Sequence, residues 1–133
     1  HTLSLHDALP ICKYEMYSGG NDVDDVGWHY GNAKKFFQAA TSKPVGTKSA
    51  NGLGIHDMTG NLFEWCEDTY SRDAYREHKR NNPLFIGQSS RNVLRGGGWS
   101  SRGSKTFLRT TYRTSMKSDY QSDAIGFRIV RTP

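Results

Sequence analysis

The stretch GNLFEWCEDTY, residues 60–70, joins a turn to an alternating run of apolar and polar residues, and it decides how the surrounding chain folds. A Gly-Asn pair favours a turn, and the alternation that follows predicts a β-strand. Within that strand, Glu64 stands between Phe63 and Trp65. Because an unpaired buried carboxylate is costly, Glu64 must either face solvent or hold a positive partner.

The composition predicts one small, loop-rich domain. The 133 residues include 14 Gly, 7 Tyr and 3 Trp, and only 35% of them are hydrophobic, which favours an aromatic core over a helix bundle. No apolar run approaches the roughly 18 residues that a membrane-spanning helix needs. The two cysteines, Cys12 and Cys66, are too few for a disulfide framework.

Positive charge is concentrated in the last third of the chain. Residues 91–133 hold nine Lys or Arg and two acids, a net charge of +7, whereas the whole chain carries a net charge of +5. Such a basic region is compatible with nucleic-acid binding, but its basic residues are mostly arginines set among Thr, Ser and Tyr. Because arginine also makes internal bidentate hydrogen bonds in loop-rich folds, we expect no nucleic-acid partner.

The first eleven residues, HTLSLHDALPI, differ in style from the rest and resemble one translated frame of a short-read sequencing adaptor. We therefore expect residues 1–11 to be a non-native segment and residues 12–133 to be the C-terminal part of a domain of metagenomic origin. His1 and His6 are for this reason not candidates for metal ligands.

Short strands and long loops are predicted along the remaining chain. Strands are predicted over residues 62–70, 105–115 and 125–132, and residues 92–101 are predicted to form a strand broken by three glycines. The polar stretch SRDAYREHKRNNP, residues 71–83, is predicted to be a helical turn or an excursion loop. Helices are nearly absent from this interpretation.

Four blocks, NGLGIHDMTGNLFEWCED, NVLRGGGW, LRTTYR and IGFRIV, occur in an order that resembles the formylglycine-generating-enzyme, or sulfatase-modifying-factor, family. The resemblance runs from about Tyr14 to Val130 and concerns the C-terminal half of the family domain. It implies an α+β, C-type-lectin-like fold with short twisted sheets, long loops and little helix, truncated at the N-terminus. The family includes oxidases, sulfoxide synthases and ligand-binding proteins, so the fold alone does not determine the activity.

The resemblance also implies a calcium site at the turn before the first predicted strand. Its ligands would be the side chains of Asp57 and Glu64 and the backbone carbonyls of Gly60 and Leu62. These are hard oxygens of the kind that calcium prefers. The alternative is that Glu64 pairs with an arginine such as Arg95 or Arg128, and the residues alone leave both possibilities open.

In the family's oxidases, two copper-binding cysteines follow the RGG block. Here Ser101 holds the first position, and Lys105 or Thr106 holds the second. Neither a hydroxyl nor an ammonium group replaces a thiolate as a ligand for the soft ion Cu(I), so we expect no copper and no catalytic residue of that kind. Cys66 lies elsewhere along the chain, and its expected role is that of a small apolar residue.

A recognition surface is predicted in the segment from Ser100 to Ala124, which is dense in Ser, Thr, Arg and Tyr. Such side chains combine adaptable hydrogen bonding with rigid aromatic contacts, although an ordinary solvated loop is the alternative. The expected partner is a protein or a small molecule. The candidate ligand-binding residues are Ser101, Arg102, Arg109, Tyr112, Arg113 and Tyr120. The residues expected to be structural are Trp65, Arg95, Gly96, Gly97, Trp99, Gly126, Phe127 and Arg128.

Together these observations predict a family member that lacks the copper-binding cysteine pair and acts as a non-oxidase, lectin-like binding or assembly domain. An envelope-associated or secreted bacterial location is expected. One alternative is a formylglycine-generating or related metal-dependent oxidase that acts on sulfatases, with catalytic parts upstream. A second alternative is a hypervariable ligand-binding protein whose variable face is the same Ser100–Ala124 segment.

Overall fold

A computed structural model of the chain describes residues 14–35, 38–77, 83–102 and 104–130. The adaptor-like segment, residues 1–11, lies outside the described residues. The elements in chain order are α1 (Val23–Val26), β1 (Gly27–Trp28), α2 (Tyr30–Ala33), β2 (Thr59–Gly60), β3 (Phe63–Thr69), α3 (Ala74–Glu77), β4 (Arg91–Arg95), a 3₁₀ helix (Lys105–Leu108), β5 (Thr114–Lys117) and β6 (Ile125–Gly126). No helix among the described residues is long and apolar enough to cross a bilayer.

Two small sheets organise the fold. The larger has the strand order β5-β4-β3-β6, in which β4 pairs antiparallel with both β3 and β5, and β6 pairs parallel with β3. The smaller consists of β1 and β2 in parallel. Because the strands are short and the helices are single turns, the structure confirms the predicted α+β class with little helix.

Asn61, in the turn that precedes β3, connects three distant segments. Its backbone has a φ of 63°, a left-handed conformation that Asn adopts more readily than most residues. Its side-chain amide exchanges hydrogen bonds of 2.9 and 3.0 Å with the backbone of Lys43. Its own N–H donates to the carbonyl of Trp28 at 2.7 Å, and its carbonyl accepts from the N–H of Trp99 at 2.8 Å. The turn therefore fixes where β3 begins relative to the loops around it.

Glycine is required at two close approaches near this turn. Gly60 has a φ of 77°, and a Cβ atom there would overlap the backbone of Trp28 on the neighbouring strand. Gly97 has a φ of 70°, and a Cβ atom there would lie 2.7 Å from both the Leu108 side chain and the Phe107 carbonyl. Only glycine combines this conformation with this proximity, so the 3₁₀ helix packs directly on the backbone after β4.

The fully buried core is mostly aliphatic. Tyr17, Val23, Val26 and Leu108 form one buried cluster, which joins α1 to the 3₁₀ helix. Trp65 and Trp99, expected as core residues, are only half-buried. The aromatic core predicted from the composition is therefore wrong for the fully buried positions that the structure describes; among these, Tyr17 is the one aromatic residue.

The strand predicted over residues 105–115 was too long. Its first part forms the 3₁₀ helix, and pairing with β4 begins only at Thr114. Ser104 caps the helix, since its hydroxyl accepts a hydrogen bond of 3.1 Å from the N–H of Thr106. A local cap and the contact with Gly97 thus override the alternating pattern.

The final predicted strand, residues 125–132, was also too long. Only Ile125 and Gly126 pair with β3, and β6 is the outermost described strand on that side of the sheet. Phe127 and Ile129 then point outward, with exposed fractions of 74% and 86%. Phe127, expected to be structural, lies at the surface because it alternates with Arg128, which turns inward.

Candidate functional site

Glu64 is held by an arginine. Its two carboxylate oxygens accept hydrogen bonds from Arg128, with Nη2–Oε1 at 2.6 Å and Nε–Oε2 at 3.0 Å. The side chains of Glu64 and Arg128 are 12% and 28% exposed, so this bidentate pair is largely shielded from water. Arg95 lies directly opposite Glu64 in the register of β3 and β4, yet it does not make the pair.

Arg128 also contacts the chain segment before β2. Its Nη2 atom donates to the carbonyl of His56 at 3.1 Å. The hydrogen bonds to Glu64 raise the pKa of Arg128; burial lowers it, and the charges of Glu64 and Asp57 raise it further. The guanidinium therefore stays charged and supplies the positive partner that Glu64 requires.

The predicted calcium ligands do not fit a calcium ion in this arrangement. Asp57 is buried, and its Oδ2 accepts a hydrogen bond of 2.7 Å from the N–H of Gly46, while its Oδ1 is buried with no hydrogen-bond partner among the described residues. The free Oδ1 atom of Asp57 suits a cation. Both oxygens of Glu64, however, already bind the guanidinium of Arg128, and its positive charge would repel a calcium ion. Calcium takes about six to eight oxygen ligands. The proposed set, Asp57, Gly60, Leu62 and Glu64, supplies only two carboxylates, and both oxygens of Glu64 are bound to Arg128.

The positions expected for copper-binding thiols hold residues with local structural contacts. The Ser101 hydroxyl accepts from the N–H of Gly98 at 3.1 Å, and the Ser101 N–H donates back to the Gly98 carbonyl at 2.9 Å. Lys105 Nζ lies 3.4 Å from Asp24 Oδ2. Thr106 is exposed within the 3₁₀ helix. The loop at these positions is therefore organised by hydroxyl and ammonium groups.

Asp24 links this loop to α2 through His29. The Nδ1 atom of His29 accepts from the N–H of Gly31 at 3.1 Å, which leaves the proton on Nε2, and Nε2 donates to Asp24 at 2.8 Å. That hydrogen bond lowers the pKa of Asp24; partial burial raises it, and Lys105 lowers it further. Because both ring nitrogens bind within the chain, His29 acts as a structural link.

Cys66 is buried in β3 on the face that carries Glu64. Burial raises the pKa of its thiol to about 12, although the charge of Arg95 lowers it, and the charges of Asp68 and Glu64 raise it. A thiol that resists ionisation is a poor metal ligand and a poor nucleophile. This environment agrees with the predicted role of a small apolar residue.

The predicted recognition residues divide into two groups that contact different elements. In the first group, the guanidinium carbon of Arg102 lies 4.8 Å from the ring centroid of Tyr30 in α2. The ammonium of Lys34 lies 5.2 Å from the same centroid. Tyr30, which the sequence did not single out, thus anchors two cations beside the Ser101 turn.

In the second group, Arg113 contacts the region around α3. Its guanidinium carbon lies 5.1 Å from the ring centroid of Tyr70 and 4.4 Å from that of Tyr75. Its Nη2 atom donates to the carbonyl of Arg72 at 3.0 Å. Tyr75 was missed from the sequence because it stands in a charged stretch with no periodicity, and only the Tyr-Arg neighbours there indicated a contact of this kind.

Arg95 supports the second group from the interior. It is 7% exposed, and its Nη1 atom donates to the carbonyls of Thr110 and Tyr112 at 3.2 and 3.3 Å. Its Nη2 atom donates to the hydroxyl of Tyr75. We term the set Arg95, Arg113, Tyr70 and Tyr75 the arginine–tyrosine cluster.

The remaining candidate ligand-binding residues make none of the cation–π contacts that define the two groups. Arg109 is exposed, and within the described ranges its side chain has no salt bridge or ring contact. Tyr112 packs edge-on against Phe107, with ring centroids 5.1 Å apart. Tyr120 is 48% exposed in the loop after β5. The Ser100–Ala124 segment therefore presents separate contacts to different neighbours.

Comparison with known proteins identifies the family. The model of the sulfatase-modifying factor enzyme 1-like domain matches residues 12–133, so the chain belongs to this family, as the four sequence blocks predicted. It is 32% identical over 117 residues to serine/threonine-protein kinase Pkn1 of Chlamydia trachomatis serovar L2, covering 86% of this chain and 18% of that protein. It is 34% identical over 89 residues to the formylglycine-generating enzyme of Streptomyces coelicolor, covering 66% of this chain and 28% of that protein.

Solved structures establish the fold. PvdO from Pseudomonas aeruginosa superposes with a TM-score of 0.68 at 23% identity, covering 90% of this chain and 42% of that chain. Treponema denticola variable protein 1 gives a TM-score of 0.65 at 23% identity, covering 85% and 39%. The chain therefore has the C-type-lectin-like fold of the formylglycine-generating-enzyme type, which confirms the predicted fold. It spans less than half the length of each of these four proteins.

Proposed function

We propose that this chain is a non-oxidase member of its family, a lectin-like domain that binds a protein or small-molecule ligand through the Ser100–Ala124 segment. The observation that carries the proposal is that residues without a thiol stand at the two positions where copper-binding cysteines are expected. Ser101 closes a turn on Gly98, and Lys105 forms an ion pair with Asp24. The sequence contains no cysteine after Cys66.

The chemistry of these side chains argues against copper. Cu(I) is a soft ion that prefers thiolates, and a hydroxyl is a hard, weak donor for it. The ammonium of Lys105 carries a charge of the same sign as the metal ion, so it would repel copper from the second position. Cys66 does not compensate, because burial raises the pKa of its thiol to about 12.

The ligand-binding part of the proposal rests on exposed polar and aromatic groups that are already positioned. Arg102 and Tyr120 are exposed, and Arg102 is held over the ring of Tyr30. Arg113 is similarly held over two tyrosine rings. Groups fixed before binding lose less conformational entropy when a ligand arrives, which favours recognition by this segment.

A competition assay with a chromophoric Cu(I) chelator tests the non-oxidase part. We expect the unmodified chain to form no one-to-one Cu(I) complex. The matched controls are the double substitutions Ser101→Cys with Lys105→Cys and Ser101→Cys with Thr106→Cys, which install the thiol pair in either alignment. At least one of them should gain tight Cu(I) binding. A tight one-to-one complex in the unmodified chain would contradict the proposal.

The second candidate is a formylglycine-generating oxidase whose catalytic parts lie outside this segment. The match to the Streptomyces coelicolor enzyme favours it, since 66% of this chain aligns with that protein. Mass spectrometry of a cysteine-containing sulfatase peptide, incubated with copper and the protein, separates the two candidates. We expect the cysteine to remain unmodified, and its conversion to formylglycine would support the oxidase.

A further inference from the structure

Two guanidinium groups meet at one tyrosine in the arginine–tyrosine cluster. Arg95 donates a hydrogen bond to the hydroxyl of Tyr75, and the guanidinium carbon of Arg113 lies 4.4 Å from the centroid of the same ring. Arg95 is 7% exposed and Arg113 is half-buried. Positive charge is therefore concentrated at a site from which water is partly excluded.

No carboxylate neutralises these charges within the described part of the chain. Neither Arg95 nor Arg113 forms a salt bridge with a described residue. The acceptors of Arg95 are the carbonyls of Thr110 and Tyr112 and the hydroxyl of Tyr75, all neutral.

Two acidic residues beside the cluster's contacts have other cationic partners. Glu64, opposite Arg95 in the strand register, gives both oxygens to Arg128. Asp73, next to α3, lies 3.4 Å from Arg76. Charges removed from water without a counter-charge are costly, so the cluster favours the arrival of an anion.

Arg113 is prepared to bind that anion. A guanidinium carries several N–H donors in one plane, and in the described ranges only Nη2 of Arg113 makes a hydrogen bond, to the carbonyl of Arg72. The rings of Tyr70 and Tyr75 hold the group through cation–π contacts. Because the guanidinium is restrained before binding, little further ordering is needed to present its donors.

We propose that Arg113, reinforced by the charge of Arg95 across Tyr75, binds a carboxylate group of the ligand. One planar fork of donors matches the two oxygens of one carboxylate. The ligand class is therefore an acidic peptide or a small organic acid. This inference rests on the proposed ligand-binding function and specifies the chemistry of part of its surface.

Acetate titration of the full chain, followed by nuclear magnetic resonance of the arginine Nε–H groups, tests the proposal. Sodium acetate replaces sodium chloride so that the ionic strength stays constant. We expect a saturable shift of the Arg113 resonance. Arg91 is the internal control, because its Nε and Nη2 atoms already donate to the hydroxyl and carbonyl of Ser115, and its resonance should show no saturation.

A conservative pair of variants separates the donor fork from the charge. Arg113→Lys keeps the positive charge but loses the planar fork, and acetate binding, followed at the ring resonances of Tyr70 and Tyr75, should weaken about tenfold. Arg91→Lys, at an arginine outside the proposed binding segment, should leave the affinity within about twofold. Unchanged affinity in Arg113→Lys, or no saturation at Arg113 in the unmodified chain, would each overturn the proposal.

The acetate titration of the unmodified chain tests the proposal by itself, so the test remains decisive even if a variant fails to fold. Copper plays no part in this measurement. Failure of acetate to bind would therefore leave the non-oxidase proposal standing, and a copper complex at Ser101 would leave the acetate result standing.

Discussion

Arg128 and Arg95 lie on opposite sides of β3 and differ in how their charges are met. Arg128 forms a bidentate pair with Glu64. Arg95, although directly opposite Glu64 in the strand register, donates only to neutral oxygens. A position directly opposite in the strand register is therefore not sufficient for an ion pair. Glu64 pairs with Arg128 because the guanidinium of Arg128 reaches both carboxylate oxygens.

The two regions have different consequences for the molecule. The Glu64–Arg128 pair is closed, since each charge has its partner, and its contribution is to the stability of the fold. The charges of the arginine–tyrosine cluster have no carboxylate partner in the described ranges, and the contribution that we propose for them is to ligand binding. Three measurements on the unliganded chain test this contrast.

Loss of the negative charge at Glu64 should have the largest effect. Glu64→Gln leaves the partly buried Arg128 without an anionic partner, so we expect the free energy of unfolding to fall by about 3 kcal/mol. Urea denaturation monitored by tryptophan fluorescence measures this change.

The control is the double variant Glu64→Gln with Arg128→Gln, which removes both charges. It should be more stable than the sum of the two single losses predicts, because no charge is left unpaired. Strictly additive losses would show that the two side chains are not coupled.

Ionisation of the Cys66 thiol reports on the electrostatic environment near Arg95, and we expect it to have an intermediate effect on stability. Burial raises the pKa of its thiol from 9.0 to about 12 despite that positive charge. Above pH 9 the unfolded chain ionises this thiol while the folded chain retains the proton, so stability falls as pH rises towards 12. The expected loss is about 1 kcal/mol per pH unit.

The Cys66→Ala variant has no thiol to ionise, so it should not show this loss of stability as the pH rises. The measurement is the difference in unfolding free energy between variant and unmodified chain, compared at about pH 8 and about pH 10. If the difference is the same at both values, the field of Arg95 outweighs burial and the thiol titrates normally.

Calcium should have the smallest effect. Because Arg128 already supplies the cation for Glu64, calcium and a chelator should give melting temperatures within about 1 °C of each other. In Arg128→Met, Glu64 and the unpartnered oxygen of Asp57 are no longer opposed by a guanidinium, so calcium should raise the melting temperature. A rise in the unmodified chain that Glu64→Gln abolishes would instead support the predicted calcium site.

The sequence predicted the fold and the presence of a charged partner, but not the choice of partner. The four blocks identified the family, and the alternation around Glu64 located β3. Whether Arg95 or Arg128 binds Glu64 depends on side-chain reach in three dimensions, which periodicity does not encode. Tyr75 entered the cluster through a contact between residues 38 positions apart, which no local pattern indicates.

Segments with competing local signals were the ones predicted wrongly. Residues 105–115 alternate like a strand, but the Ser104 cap and the close approach at Gly97 favour the 3₁₀ helix. The absence of cysteine from the positions expected for copper-binding thiols could be read directly, since it needs only the identities of Ser101, Lys105 and Thr106. What those side chains contact, such as Asp24 and Gly98, required the structure.

The outward residues after β6 bear on how this chain behaves at high concentration. Phe127 and Ile129 follow β6 with exposed side chains, and β6 is the outermost described strand on its side of the sheet. A strand edge beside exposed apolar side chains is a template for pairing between molecules. Self-association during recombinant production should therefore start at this end of the chain. A lysine introduced there would act as a gatekeeper against aggregation without disturbing the packed side of the sheet.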